Sequence, residues 1–285
     1  MIQITECPRD AMQGIHEFIP TQTKIEYLKS LIASGFPIID AGSFVSPKAI
    51  PQMADSSQVF EALGEVPKTT KLLAIVANAR GAEDAAAFDN ITYLGFPFSI
   101  SETFQKRNTN ASIEESLARV EDILTIASKN SKTLLVYLSM AFGNPYGDEW
   151  SPELVTKWAQ KLSSLGIKNI ALADTTGVSD VGRITSLFST IIPELGDSRI
   201  IAHLHSTPQD VSAKIKAAYN AGCRNFDSAI KGYGGCPMAS DDLTGNMDTE
   251  TILDWAKNQN ITTGINEEEF SKALVKADQI FKRYH

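Results

Sequence analysis

The sequence predicts an α/β protein of the closed (β/α)8 TIM-barrel class with extra C-terminal helices, and three observations carry that prediction. Eight short, β-rich apolar segments recur along the 285 residues. Stretches with 3.6-residue apolar periodicity separate most of them. No Gly/Ser- or Pro-rich linker interrupts the alternation, which favours a barrel over an open doubly wound sheet.

Taken in order, the strand segments are IQITEC (2–7), FPIIDA (36–41), LLAIVA (72–77), ITYLGF (91–96), LLVYLS (134–139), KNIALA (168–173), IIAHLH (200–205) and NFDSAI (225–230). The first is followed by PRDAMQG rather than G-x-G-x-x-G, so a dinucleotide-binding fold matches poorly. After Thr23, the residues Ile25, Leu28, Leu31 and Ile32 share one helix face that Gly35 is placed to stop. Ser112 and Glu115 have capping-box spacing ahead of Ile113, Leu117, Val120 and Leu124. Ser151, Pro152 and Glu153 start a helix that turns Leu154, Val155, Trp158, Leu162 and Leu165 inward before Gly166. Thr207 and Pro208 are read as the start of the next, with Val211, Ile215 and Ala218. The segments after strands two and three, rich in Ala, Ser and Pro, are weaker helices. Residues 249–285 read as a helical extension, with Ile252, Leu253 and Trp255 on one helix and Phe270, Leu274, Ala277, Ile280 and Phe281 on another. The whole chain, 1–285, is read as one catalytic barrel domain.

Composition narrows the function. With 26 Lys+Arg against 34 Asp+Glu the net charge is −8, which argues against a nucleic-acid surface. The longest apolar runs, such as 72–77, fall far short of the roughly 18 residues of a membrane span. The start, MIQITECPRD, lacks a basic segment followed by an apolar one, and Cys7, Cys223 and Cys236 cannot all pair, so a cytoplasmic protein is expected.

In a barrel the chemistry sits at the C-terminal ends of the strands. Those ends carry Arg9 and Asp10, Asp40 and Ser43, Asn78 and Arg80, Ser139, Asp174 and Thr175, His203 and His205, and Lys231. Polar residues begin turns in any protein, and for each position alone that reading stands. The histidines differ: two of only four lie two residues apart on a strand, so both rings project to one face and can reach one cation. Asp10 reaches the same place if the barrel closes, and Asn246 offers an amide oxygen. Two nitrogens with oxygen donors suit Mg2+ or Mn2+, and are compatible with Zn2+ or Co2+. The stretch GYGGCPMAS (232–240) makes a loop of little bulk that can carry the Cys236 thiol over a ligand. Cys7 and Cys223 lie in or beside apolar segments and are expected in the core.

The stretches ECPRDAMQ, SFVSPKAIPQM (43–53), ISETFQKRNTNASIEES (100–116), ADTTGV (173–178), AHLH (202–205) and GYGGCP (232–237) together resemble the 3-hydroxy-3-methylglutaryl-CoA lyase family, in order from about residue 2 to 265. The Arg-Asp pair and His-x-His are shared with isopropylmalate and homocitrate synthases and carboxyltransferases, whereas SFVSP and GGCP are more specific to the lyases. The resemblance implies divalent-metal-dependent cleavage of hydroxymethylglutaryl-CoA to acetoacetate and acetyl-CoA, as in leucine degradation, by a homo-oligomer, most simply a dimer. It implies Asp10, His203, His205 and Asn246 as metal ligands. Cys236, Arg9, Asp10, His203, Asp174 and Glu250 would be catalytic, and Arg9, Gln13, Asp40, Ser43, Asn78 and Thr175 would contact the acyl-CoA. Four features depart from the family pattern. Asp40 stands in place of Glu, and Ser206 to Gln209 replace Asp-Thr-Tyr-Gly, losing a carboxylate able to orient an imidazole. Lys231 replaces a small residue, and the Cys236 to Asn246 spacing is longer. An acyl-CoA condensing enzyme and a non-catalytic metal- or ligand-binding barrel are the competing readings.

Overall fold

The computed structural model describes residues 1–235 and 245–284. Its strands are β1 (Gln3–Glu6), β2 (Ile38–Ser43), β3 (Lys71–Ile75), β4 (Ile91–Ser99), β5 (Thr133–Ser139), β6 (Asn169–Ala173), β7 (Arg199–His203) and β8 (Asn225–Ser228). All pair in parallel, each with its sequence neighbour, and β8 returns to β1 to close the barrel. Every predicted segment contains a strand, though β7 stops at His203, short of His205, and β8 at Ser228. β4 runs on to Ser99 because it keeps register with β5 as far as the Ser99–Ser139 pair. Alternation sorts the side chains. Ile38, Leu73, Ile75, Leu135, Tyr137, Ala171 and Ile201 form one cluster inside the barrel. Their neighbours Ile39, Leu72, Ala74, Leu134, Val136, Ile170, Leu172 and Ala202 join the larger core against the helices.

The helices are α1 (Pro8–Gln13), α2 (Thr21–Ala33), α3 (Ser56–Leu63), α4 (Ala79–Ala86), α5 (Glu102–Thr109), α6 (Ile113–Lys129), α7 (Pro152–Ser164), α8 (Val181–Leu195), α9 (Val211–Asn220), α10 (Thr249–Asn258) and α11 (Glu267–Tyr284). The Ser112–Glu115 capping box forms in both directions, and Ser151 accepts from Leu154 N at the start of α7. Gly35, at φ 82, takes the left-handed turn that stops α2. The weaker segment after β3 is a helix capped by Asn78, and that after β2 is a 3-10 turn, Pro51–Met53, followed by α3.

One expectation changes. α9 begins at Val211 and not at Thr207, because Asp210 Oδ1 accepts from both the N–H and the hydroxyl of Thr207 and holds 207–210 as a turn. Both C-terminal helices read from 249–285 are present, and α10 packs beside α9 as the eighth outer helix. α11 is the added one, lying along α2 with Phe281 edge-on to Tyr27 and Phe270 edge-on to Phe36. Among the described residues, no helix is long and apolar enough to cross a membrane.

Candidate active site

Pro8 occupies the first turn of α1, where its missing N–H costs nothing. The six-residue helix turns Arg9, Asp10 and Gln13 over the C-terminal mouth of the barrel directly after β1. There they line a cavity of about 490 Å³ with His203 and His205. Ser43, Asn78 and Thr175, predicted from the strand ends, line the same cavity, as do Ile50, Phe104, Arg107 and Tyr137.

Asp10, His203 and His205 each offer a ligand atom within 4.8 Å of the others. The two imidazoles are 5.6 Å apart between ring centres, while Ala202 and Leu204 are buried among the outer apolar side chains. His205 forms an antiparallel bridge with Asn246, which brings the Asn246 side chain onto Asp10: its Nδ2 donates to Asp10 Oδ2 at 2.6 Å and to Tyr233 O at 2.9 Å. Gly234 closes over this cluster. A Cβ there would lie 2.6 Å from Asn246 Nδ2 and 2.9 Å from Asp10 O, so the backbone approaches only because residue 234 lacks one. Two imidazoles, a carboxylate and an amide in one cradle are a donor set suited to a divalent cation. Cys7, His203 and Asp227 also converge within 4.8 Å, but burial and the surrounding carboxylates push the Cys7 thiol far up. A protonated thiol is a poor ligand.

Arg9 organises the carboxylates. Its Nε and Nη2 donate to Asp40 Oδ2, and Nη1 donates to Asp10 Oδ1 at 3.1 Å and Gln13 Oε1 at 2.9 Å. Gln13 Nε2 donates in turn to Asp10 Oδ1 at 2.8 Å. Burial alone would raise the Asp10 carboxyl, but Arg9 and the two histidines outweigh it and hold Asp10 below the ordinary carboxylate range. Asp40, fully buried, is pushed up to about 6 by desolvation in spite of Arg9. The guanidinium itself is held cationic, since Asp40 and Asp10 overcome the burial that opposes its charge.

His203 Nδ1 meets Asp227 Oδ2 at 3.0 Å. Burial works against the imidazolium, but the hydrogen bond and charge of Asp227 prevail and raise the His203 pKa. In the neutral imidazole, an Nδ1 proton given to Asp227 leaves the lone pair on Nε2. This corrects one expectation: the orienting carboxylate lost at Ser206 is supplied from β8. Asp227 could have been found in NFDSAI as the charged residue in register with strand seven's inward face. Tyr137, also missed, packs edge-on to His203 at 5.2 Å, and its buried hydroxyl has no hydrogen-bond partner among the described residues.

Other predicted residues lie elsewhere. Asp174, 1% exposed, does not line the cavity; it accepts from Ser179 N and from Lys214 Nζ behind the β6 end. Burial raises its pKa against those partners. Glu250, at the start of α10, also lies outside the cavity and accepts from Lys231 N at 2.9 Å. Lys231 turns away from the mouth to pair with Asp278 of α11, and Arg80 faces solvent beside Asp84. Cys236, with the rest of 236–244, lies outside the described residues. Cys7 and Cys223 are buried as expected.

Comparison with known proteins identifies relatives of this chain and of its fold. The HMGL-like family model matches residues 2–275. The chain is 35% identical over 272 residues to the 3-hydroxy-3-isohexenylglutaryl-CoA/hydroxy-methylglutaryl-CoA lyase of Pseudomonas aeruginosa, covering 95% of this chain and 88% of that one. It is 34% identical over 261 residues to a cytoplasmic 3-hydroxy-3-methylglutaryl-CoA lyase of Danio rerio, covering 91% and 76%. Among solved structures, an HMG-CoA lyase from Acinetobacter baumannii in complex with coenzyme A and 3-methylmalate superposes with a TM-score of 0.90 at 29% identity, over 96% of this chain and 89% of that one. The barrel, the mouth that carries Arg9, Asp10 and the histidine pair, and a match spanning nearly the whole length place this chain in the HMGL-like family.

Proposed function

We propose that this chain cleaves 3-hydroxy-3-methylglutaryl-CoA to acetoacetate and acetyl-CoA as a carbon–carbon lyase. The observation that carries the proposal is the meeting of Asp10, His203 and His205 beside the Arg9–Asp40 pair in one cavity. Asp10, His203, His205 and Asn246 would hold a divalent cation, Mg2+ or Mn2+ by the balance of oxygen and nitrogen donors, with Zn2+ and Co2+ compatible. Bound there, the cation would lower the pKa of the substrate's tertiary hydroxyl and orient the scissile bond.

The chain's own residues do the rest. Asp10, kept ionised by Arg9, accepts the hydroxyl proton, or His203 does so at an Nε2 that then does not ligate the cation. Breaking the adjacent C–C bond leaves a thioester enolate, whose oxygen Arg9 stabilises from the cavity wall; a charged donor aimed at such an oxygen is worth about 10²–10³ in rate. Gln13 fixes the orientation of Arg9 and Asp10, and Ser43, Asn78 and Thr175 offer polar contacts to the acyl chain. Cys236 is assigned the proton donor to the enolate carbon, since an ordinary thiol is mostly protonated at neutral pH. Asp40 acts through Arg9. Asp174 and Glu250 act as supports of the mouth and do not touch substrate. The protein works as a cytoplasmic homodimer in which 1–285 is one catalytic unit; the Danio rerio relative carries a cytoplasmic name.

Incubation with hydroxymethylglutaryl-CoA and Mg2+ should release acetoacetate. No acetoacetate, together with thioester loss when a 2-keto acid and acetyl-CoA are supplied, would replace the lyase by a condensing enzyme. Cys236→Ser should depress turnover far more than cation affinity, and His203→Ala should depress both. A fully active Cys236→Ser protein contradicts the proton-donor role.

A further inference from the structure

We infer that Lys214 is a positioning residue that locks the cation-binding histidines to α9; the inference rests on the assignment of His205 as a ligand made above. Lys214 is 2% exposed. Buried ammonium groups persist where several acceptors surround them, and Lys214 has three. Its Nζ donates to the backbone carbonyl of His205 at 2.7 Å and approaches Asp174 Oδ2 at 3.5 Å and Asp210 Oδ2 at 3.3 Å. These partners are the residue after β6, the second residue after β7, and the turn entering α9.

The placement matters because the chain around His205 has left the sheet. β7 ends at His203, and Leu204 to Asp210 carry no strand or helix assignment apart from the single bridge of His205 to Asn246. The backbone is instead tied on two sides. Ser206 N donates to Gly245 O at 2.9 Å, and Lys214 grips the preceding carbonyl from the helix. One further link runs through the same ammonium: Asp174, whose N–H donates to His203 O at 2.9 Å, is held to it by its carboxylate. A single cation therefore pins the peptide of one histidine and the strand neighbour of the other. It sets where both imidazoles stand without itself reaching the cavity, and Lys214 is not among the cavity's lining residues.

The test is Mn2+ binding to the full chain, followed by electron paramagnetic resonance of free Mn2+. Residues that orient metal ligands typically change affinity by tenfold to a hundredfold, so Lys214→Met should weaken Mn2+ binding by at least tenfold. That variant also leaves Asp174 buried without its counter-charge and can lose stability. The double variant Lys214→Met/Asp174→Asn removes that charge, restores melting temperature, and should still bind Mn2+ at least tenfold more weakly than the unaltered chain. Unaltered affinity in either variant overturns the inference, because a purely structural lysine would move melting temperature alone. His205→Ala is the control: if the unaltered chain binds no Mn2+, or His205→Ala binds it as tightly as the unaltered chain, the cation assignment falls and this inference falls with it.

Discussion

Glu6→Gln should stabilise the protein in a pH-dependent way. Glu6 ends β1 at 0% exposure. Its Oε1 accepts from Ile230 N at 2.8 Å and its Oε2 meets the Thr249 hydroxyl at 2.6 Å. Burial raises its pKa from 4.5 to about 8, against those hydrogen bonds and with a small push from Glu250. The neutral acid is well accommodated: Oε2–H can donate to Thr249 Oγ1, which lies 2.8 Å from Ser228 Oγ and passes its own proton on. Because the folded state binds this proton more tightly than the unfolded one, the stabilisation is complete below about pH 4.5. It falls as pH rises, by about 1.4 kcal/mol per pH unit, and levels off above about pH 8 after a loss of about 5 kcal/mol. Glutamine has the shape of the neutral acid, accepting from Ile230 and donating to Thr249, and has no proton to lose. Its advantage should be small at pH 5 and grow steadily to pH 8. At about 2 °C per kcal/mol for a chain of this size, the gap in melting temperature should approach about 10 °C. Calorimetric melts of both proteins at pH 5, 6.5 and 8 measure it. A gap independent of pH, or a variant that melts lower at pH 8, would refute the reasoning.

Three further outcomes are expected. Arg9→Met should lower turnover by about 10²–10³; a change confined to KM in the acetoacetate assay would remove Arg9 from the enolate. Asp227→Asn should weaken Mn2+ binding by about tenfold to a hundredfold by freeing the His203 ring, and a titration matching the unaltered chain would show that the ring needs no such anchor. Ser112→Ala, which breaks the α6 capping box, should cost about 1 kcal/mol and lower the melting temperature by a few degrees without touching turnover; a fall in turnover would mean that α6 reaches the mouth.

Much of the site was legible because a strand gives its residues a fixed alternation. The spacing put His203 and His205 at one end of β7, although the strand stops at His203 and the bridge to Asn246 holds His205 beyond it; Arg9 and Asp10 follow directly after a strand, so their convergence with the pair needed only closure of the barrel. Residues whose partners are remote in sequence escaped that logic. Asp227 looks like one polar residue in an apolar strand until β8 lies beside β7. Lys231 reads as a cation at the mouth until α11 draws it outward to Asp278. Asp174 and Glu250 sit at strand and helix ends as predicted, yet their carboxylates turn to Ser179, Lys214 and the Lys231 peptide.

The sequence by itself determined the eight-fold alternation, the caps of α6 and α7, the burial of Cys7 and Cys223, and the chemistry gathered at the strand ends, since each depends on periodicity or on contacts a few residues apart. Only the tertiary structure decided which charges meet. Closure of β8 onto β1 brings Asn246 to Asp10 and Thr249 to Glu6 across more than two hundred residues. Packing of neighbouring strands and helices buries Arg9 against Asp40, seats Asp227 behind His203 and sets Lys214 beneath His205, because ionic and hydrogen-bonding partners are chosen by distance in space and by the desolvation that packing imposes.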